Sequence, residues 1–150
     1  MYEQRAVTVV PAPVDRVYEL FTHFHRYPEF LRQIKSVTYY DDQNSHWIVD
    51  AGERSEYDAI NEGWQRNARI GWRATQRGRE TGEVLFEPTG RSATRVFVRL
   101  RFEKAPAQRA QRELQQDLET FARTIGGAAE RGEIVDWKGL GSTLGSHASP

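Results

Sequence analysis

The side chains best suited to chemistry gather near the start of the chain, in FTHFHRYPEF, residues 21–30, where His23 and His25 stand two apart and Glu29 follows. Imidazole and carboxylate groups can hold a divalent metal or pass a proton. A spacing of two lets both rings meet one ion from a strand or an irregular backbone, but on a helix it splays them about 200° apart. Zinc would need a third ligand. The other histidines, His46 and His147, fall at an expected hairpin and in the tail. Neither a metal site nor a cofactor is therefore expected.

Acid–base catalysis would need a polar group within hydrogen-bond reach of a bound substrate. Tyr39, Tyr57 and Asn61 are the few polar candidates at positions that read as inward. A buried tyrosine hydroxyl more often satisfies a backbone carbonyl than does chemistry. No Ser–His–Asp set, carboxylate pair or glycine-rich phosphate loop is visible, so no catalytic residue is assigned. In HFHRYPEF the aromatics carry the functional reading instead of the imidazoles. Tyr27, Phe30 and Leu31 read as a hydrophobic cover, either over one end of a cavity or over core with no ligand behind it, with Pro28 fixing the chain's entry into a second short helix.

The elements that would position these residues follow from periodicity. Residues 1–10 read as a strand stopped by PAP. Val14, Val17, Leu20, Phe21 and Phe24 recur at helical spacing, with Pro13 in the first turn, and RYPEFLRQI suggests a second helical piece restarted at Pro28. From Ile34 to Lys104 the period becomes two, broken at DDQNS, AGERS, QRNAR, QRGRETG and EPTGRS, which gives about six strands. Val96, Val98, Leu100 and Phe102 share the inner face of the last strand, and Arg95, Phe97, Arg99 and Arg101 the outer. Val84 and Phe86 face inward on the preceding strand, and Ile70, Trp72 and Ala74 on the one before it. The acidic row at Glu83 and Glu87 thus falls between basic rows that include Arg69, Arg73 and Arg77.

Leu114, Leu118, Phe121 and Ile125 then form the stripe of a long helix that Gly126 and Gly127 are expected to end. Its start carries only Ala107 and Ala110, so the helix is thin where it begins. A compact domain over residues 1–131 and a loose Gly/Ser-rich tail over 132–150, with Trp137 docking, complete the reading.

Twenty-one basic and twenty-one acidic residues leave no net field to draw nucleic acid or an anionic membrane, and the charged rows read as cross-strand pairs. Cysteine is absent, which removes disulfides and thiolate chemistry and is compatible with a reducing cytoplasm. No apolar run is long enough for stable membrane insertion. A cytoplasmic protein is expected.

VPAPVDRVYELFTHFHRYPEFLRQIKSV, EYDAINEG, RIGWRATQRG, TGEVLFEPTGRSATRVFVRLRF and DLETF, in that order from about residue 3 to about residue 126, resemble the polyketide cyclase/dehydrase and coenzyme Q-binding group of the START-like (SRPBCC, helix-grip) superfamily. The resemblance implies an α+β helix-grip fold. In it a curved antiparallel sheet of about seven strands wraps a long C-terminal helix, with two short helices after the first strand. It also implies a cavity between sheet and helix for a lipid, isoprenoid quinone or polyketide-like molecule. RYPEF would lie at its mouth, with the Trp72 strand, the Phe86 strand and the DLETF stripe along its walls. The short EKAPAQ connection departs from the group's longer loop and implies an open or shallow pocket; Tyr57 stands where relatives often have tryptophan.

The residues support a pocket on their own terms too. Trp47, Tyr57, Trp72 and Phe86 read as inward and opposite the thin half of the helix, and bulky aromatics beside small residues leave concave apolar space. The alternative is that the same rings fill the core, since an unfilled cavity costs about 24 cal/mol per Å³. The expected ligand-contacting set is Tyr27, Phe30, Leu31, Tyr39, Trp47, Tyr57, Trp72, Phe86, Val98, Ala110, Leu114, Leu118 and Phe121. Non-enzymatic binding or carriage of a hydrophobic small molecule is the preferred function. A polyketide aromatase/cyclase and a protein-interaction module of the respiratory-chain or ribosome-associated type are the alternatives; no protein partner is named.

Overall fold

A computed structural model of the protein describes residues 1–75 and 79–131. Strand β1 (Tyr2–Val10) leads into helix α1 (Val14–Phe21) and a short 3-10 helix (Phe24–Glu29). Six strands follow: β2 (Ile34–Tyr39), β3 (Asn44–Asp50), β4 (Arg54–Asn61), β5 (Arg69–Ala74), β6 (Thr81–Gly90) and β7 (Ala93–Phe102). Helix α2 (Gln108–Glu130) closes the described chain. All seven strands form one curled antiparallel sheet in the order β1-β7-β6-β5-β4-β3-β2, and α2 packs on it.

The period-two alternation is realised as read. On β7, Val96, Val98, Leu100 and Phe102 are buried, and on β6 so are Val84 and Phe86. From α2, Ala110, Leu114, Leu118, Phe121, Ala122, Ile125 and Ala128 meet this face. Each large apolar side chain taken fully out of water stabilises the fold by about 1.5–3 kcal/mol. On the outer face the charges are spent on one another. Glu83 pairs with Arg69 and Arg99, Glu87 with Arg95, and Glu3 with Arg5 and Arg101. Arg77 lies outside the described residues.

Three local expectations are corrected. Helix α2 runs through Gly126 and Gly127 and does not end there. Ala128 beyond them is fully buried, and its packing outweighs the roughly 1 kcal/mol that a mid-helix glycine costs. A Cβ on Gly126 would crowd the Pro11 ring at 3.1 Å, which gives that glycine a packing role. Pro13 is the N-cap of α1, one position before its first turn. Pro28 sits inside the 3-10 helix near its end and starts no new helix. Proline has no N–H to carry a helix on, and it disfavours the α conformation in the residue before it.

The helix also protects an open sheet edge. Gln111 Oε1 accepts a hydrogen bond from Arg5 N at 2.9 Å while its Nε2 donates to Arg5 O at 2.5 Å. One turn on, Gln115 treats Val7 in the same way. Two glutamines spaced by four thus stand in for a missing neighbour strand.

Candidate ligand-binding site

The concave face of the sheet is paved with aromatic rings. Phe24, wholly buried, contacts Tyr27, Tyr39, Trp47, Trp64 and Trp72 at ring-centroid distances of 5.1–6.0 Å. Trp47 stacks with two neighbours: Trp72 at 4.4 Å and 14°, and Tyr57 at 6.3 Å and 5°. A second group surrounds Phe21, whose ring meets Tyr27, Phe30, Phe86 and Phe121 edge-on.

The set expected from sequence therefore divides. Trp47, Tyr57 and Trp72 come together beneath β7, where with Ile34, Val49, Thr81, Leu100, Arg101 and Phe102 they surround a void of about 10 Å³, room for about one water. Tyr27, Phe30, Phe86 and Phe121 belong to the Phe21 group. Phe86, placed by sequence opposite the thin half of the helix, instead faces Tyr18 and Phe21 of α1. Leu31, Val98, Ala110, Leu114 and Leu118 are buried in the sheet–helix interface. Tyr39 bridges Phe24 and the chain before it: its hydroxyl donates to Thr22 O and accepts from Phe24 N, both at 3.0 Å. Sequence reasoning passed over Phe21 and Phe24, although their spacing on the first helix marked them as buried, and over Ile34, Leu100 and Phe102.

Tyr27, expected at a mouth, is fully buried, and its hydroxyl donates to Phe21 O at 2.6 Å. Outside it a groove of about 200 Å³ runs between Glu29, Arg32, Asp117 and Thr120, floored by the Phe30 and Phe121 rings, whose centroids lie 4.5 Å apart. Arg32 closes this side. Its guanidinium donates to Asp117 Oδ1 at 2.7 Å and its backbone N to Asp117 Oδ2 at 2.8 Å, tying the segment after the 3-10 helix to α2. At the other end the short connection before α2 is pinned by Ala107 N donating to Ala51 O at 2.6 Å. Gly52, at φ +97°, lies so close that a Cβ there would meet Ala107 Cβ at 2.5 Å.

Polar groups inside this face differ in how they are satisfied. Trp47 Nε1 donates to Ser45 Oγ at 2.8 Å and Trp64 Nε1 to Gly71 O at 2.9 Å. Trp72 Nε1 is buried with no hydrogen-bond partner. The amides of Gln4 and Gln33 are buried with neither atom partnered. Leaving one such group unsatisfied costs about 1–3 kcal/mol. Burial pushes the Tyr57 hydroxyl well above the usual phenol range; the neighbouring Trp72 indole opposes that shift without reaching hydrogen-bond geometry, and Glu80 adds to it. Gly82 makes the arrangement possible. It pairs with Trp72 across β5 and β6, and a Cβ there would overlap the benzo ring of the indole.

The histidines do not converge. His23 lies 3.4 Å from Glu19, and the His23 and His25 rings meet edge-on at 5.8 Å. His46 is the third residue of β3, in the β2–β3 hairpin, with Nδ1 2.7 Å from Asp58 and Nε2 2.7 Å from Glu56 on β4. Among the described residues no group of three His, Cys, Asp or Glu side chains gathers for a metal. His147, Trp137 and the expected tail boundary fall outside the described residues. Among the described residues no helix is long and apolar enough to cross a membrane.

The family of polyketide cyclases/dehydrases and lipid transport proteins matches residues 10–123. The chain belongs to that family. An uncharacterized 17.2 kDa protein of Streptomyces lincolnensis is 25% identical over 141 residues, 87% of this chain and 92% of its own. A crystal structure from Deinococcus radiodurans superimposes with a TM-score of 0.71 at 27% identity, covering 87% of this chain and 99% of that one. The Zhui aromatase/cyclase from Streptomyces sp. R1128 shares the fold at a TM-score of 0.59 and 16% identity over 97% of this chain and 98% of its own. A START superfamily protein from Mycobacterium smegmatis does so at 0.61 and 18%, over 87% and 99%. The helix-grip architecture expected from sequence is thus the family's own.

Proposed function

We propose that this protein binds a hydrophobic small molecule between the concave face of the sheet and α2, as a carrier or sequestering protein and without catalysis. The ligand is of the lipid, isoprenoid quinone or polyketide-like class. The observation that carries this reading is the aromatic pavement from Phe24 through Trp47 and Trp72, in which a buried indole N–H is left unpartnered beside a void. A core selected for stability alone would have closed that defect. Membership of a family named for polyketide cyclisation and lipid transport supports the same class of guest. A void of about 10 Å³ holds no such molecule, so the guest enters by displacing side chains that line it, Tyr57 among them.

Carriage is preferred to chemistry because these interior hydroxyls offer no base. Tyr27 and Tyr39 bond the backbone, and Tyr57 stays protonated at physiological pH. One feature favours a cyclase as the second reading: the buried Glu80 carboxylate acts through space on the Tyr57 phenol and adds to the rise in its pKa.

Native mass spectrometry of the protein purified without detergent, followed by organic extraction, tests the first reading. A retained apolar molecule and a change in tryptophan fluorescence on adding a naphthoquinone are expected. A bare mass together with unchanged fluorescence overturns it. Turnover of a poly-ketone thioester that is lost in Tyr57→Phe would establish the second reading in its place.

A further inference from the structure

Resting on that reading of the site, we infer that the pocket selects its guest by a hydrogen-bond-accepting oxygen on a flat apolar frame, and that Trp72 and Tyr57 are the specificity-determining donors. An indole N–H can only donate, so the group that completes Trp72 Nε1 must be an acceptor. The partner is missing at this one indole, while Trp47 and Trp64, in the same ring cluster, have theirs. Tyr57 lines the same void; its hydroxyl, held in its protonated form, lies near the Trp72 indole without completing a hydrogen bond to it, and has a proton to give. Tyr57 is also the part-exposed member of the Tyr57–Trp47–Trp72 stack, so an incoming oxygen reaches the indole past its ring.

A second observation places polar demand at the same end. Gln4 lies directly across from Leu100, one of the lining residues, and Gln33 immediately precedes Ile34, another; both amides are buried without partners. Among the described residues, the opposite end, around Phe21, presents ring edges and one unpartnered polar atom, Glu29 Oε1 beside Phe30, which as a carboxylate oxygen accepts and does not donate. The site is therefore polarised, with an apolar body expected toward Phe24 and an oxygen toward β7. An unbranched hydrocarbon chain satisfies neither donor. A conjugated ketone or quinone carbonyl satisfies both, because its oxygen offers two lone pairs in the plane of the ring.

The test compares menadione with 2-methylnaphthalene, one fused-ring frame with and without two carbonyl oxygens, titrated into the full chain and followed in ¹H–¹⁵N spectra. The absence of cysteine removes thiol addition to the quinone as a complication. Menadione is expected to bind about ten-fold more tightly and to shift the Trp72 indole resonance. Trp72→Phe and, with the ring retained, Tyr57→Phe should each lower the ratio of menadione to 2-methylnaphthalene affinity, whatever either does to the affinity for the hydrocarbon alone. Equal binding of the two probes by the unmodified protein overturns the inference and leaves the hydrophobic-guest reading standing; binding of neither overturns both. A preference that survives in both variants overturns the assignment to these two residues. So does an indole resonance that shows transfer from a resident water and does not move with menadione, the result if a water alone completes Trp72.

Discussion

Gln115 grips both halves of the exposed Val7 edge, its Oε1 accepting from Val7 N at 3.0 Å and its Nε2 donating to Val7 O at 2.8 Å. Because Gln111 does the same for Arg5, α2 is fastened to β1 through backbone groups as well as by apolar packing. Replacing both glutamines by alanine should leave helix propensity intact or slightly improved, yet cost about 1–3 kcal/mol in total. Amide exchange at Arg5 and Val7 should quicken well beyond that of their neighbours. Unchanged exchange at both positions would mean that the pairing is not populated in solution.

Gly82 exists to seat Trp72. Gly82→Ala is expected to destabilise the fold by about 1–3 kcal/mol through overpacking and to change the Trp72 emission. Gly90, which has open space around the position of a Cβ, provides the control, and Gly90→Ala should be within about 0.5 kcal/mol of the unmodified protein. Equal urea midpoints for the two variants would refute the seating argument.

Arg32 and Asp117 join the segment after the 3-10 helix to α2. The guanidinium is half exposed, so the ion pair itself contributes about 0–1 kcal/mol, and most of the effect resides in Asp117 accepting the Arg32 backbone N–H. Asp117→Ala should therefore destabilise more than Arg32→Ala. The reverse order in chemical denaturation would contradict this assignment.

His46 predicts a pH dependence. Hydrogen bonds donated to Asp58 and then Glu56 raise its pKa, and the pKa values of both carboxylates are lowered by the same contacts. The histidine's contribution is complete below its unfolded value of about 6.5 and is lost as pH rises through the higher folded value. The carboxylates contribute above their unfolded values of about 4 and lose that contribution as pH falls through the lower folded ones. The cluster thus stabilises most between about pH 4.5 and 6.5. His46→Phe should lower the urea midpoint more at pH 5.5 than at pH 8.5; a loss independent of pH would refute the protonated state.

Much of the fold was legible because burial imposes a period. On β7, Val96, Val98, Leu100 and Phe102 alternate with Phe97, Arg99 and Arg101, and all four are buried. The site was legible only as a composition. Nothing in the chain announces that Gly82 must lie under Trp72, because that need arises from register across two strands. His46 was legible as a hairpin residue from the turn formers before it, but its two carboxylate partners on β4 come only from the register of β3 with β4. Gln111 and Gln115 read as ordinary solvated helix positions, and only the path of β1 beside them gives them a task. Gly126 and Gly127 misled in the opposite sense, since tertiary packing at Ala128 overrides a local stop signal.

The order β1-β7-β6-β5-β4-β3-β2 puts the first two strands of the chain at opposite margins of the sheet, joined only by α1 and the 3-10 helix. That connection acts as a bowstring. The trough cannot flatten without stretching it, so its bore is limited by the length of chain between Val10 and Ile34, and a bulkier guest must be admitted by lifting α2 away from the curve.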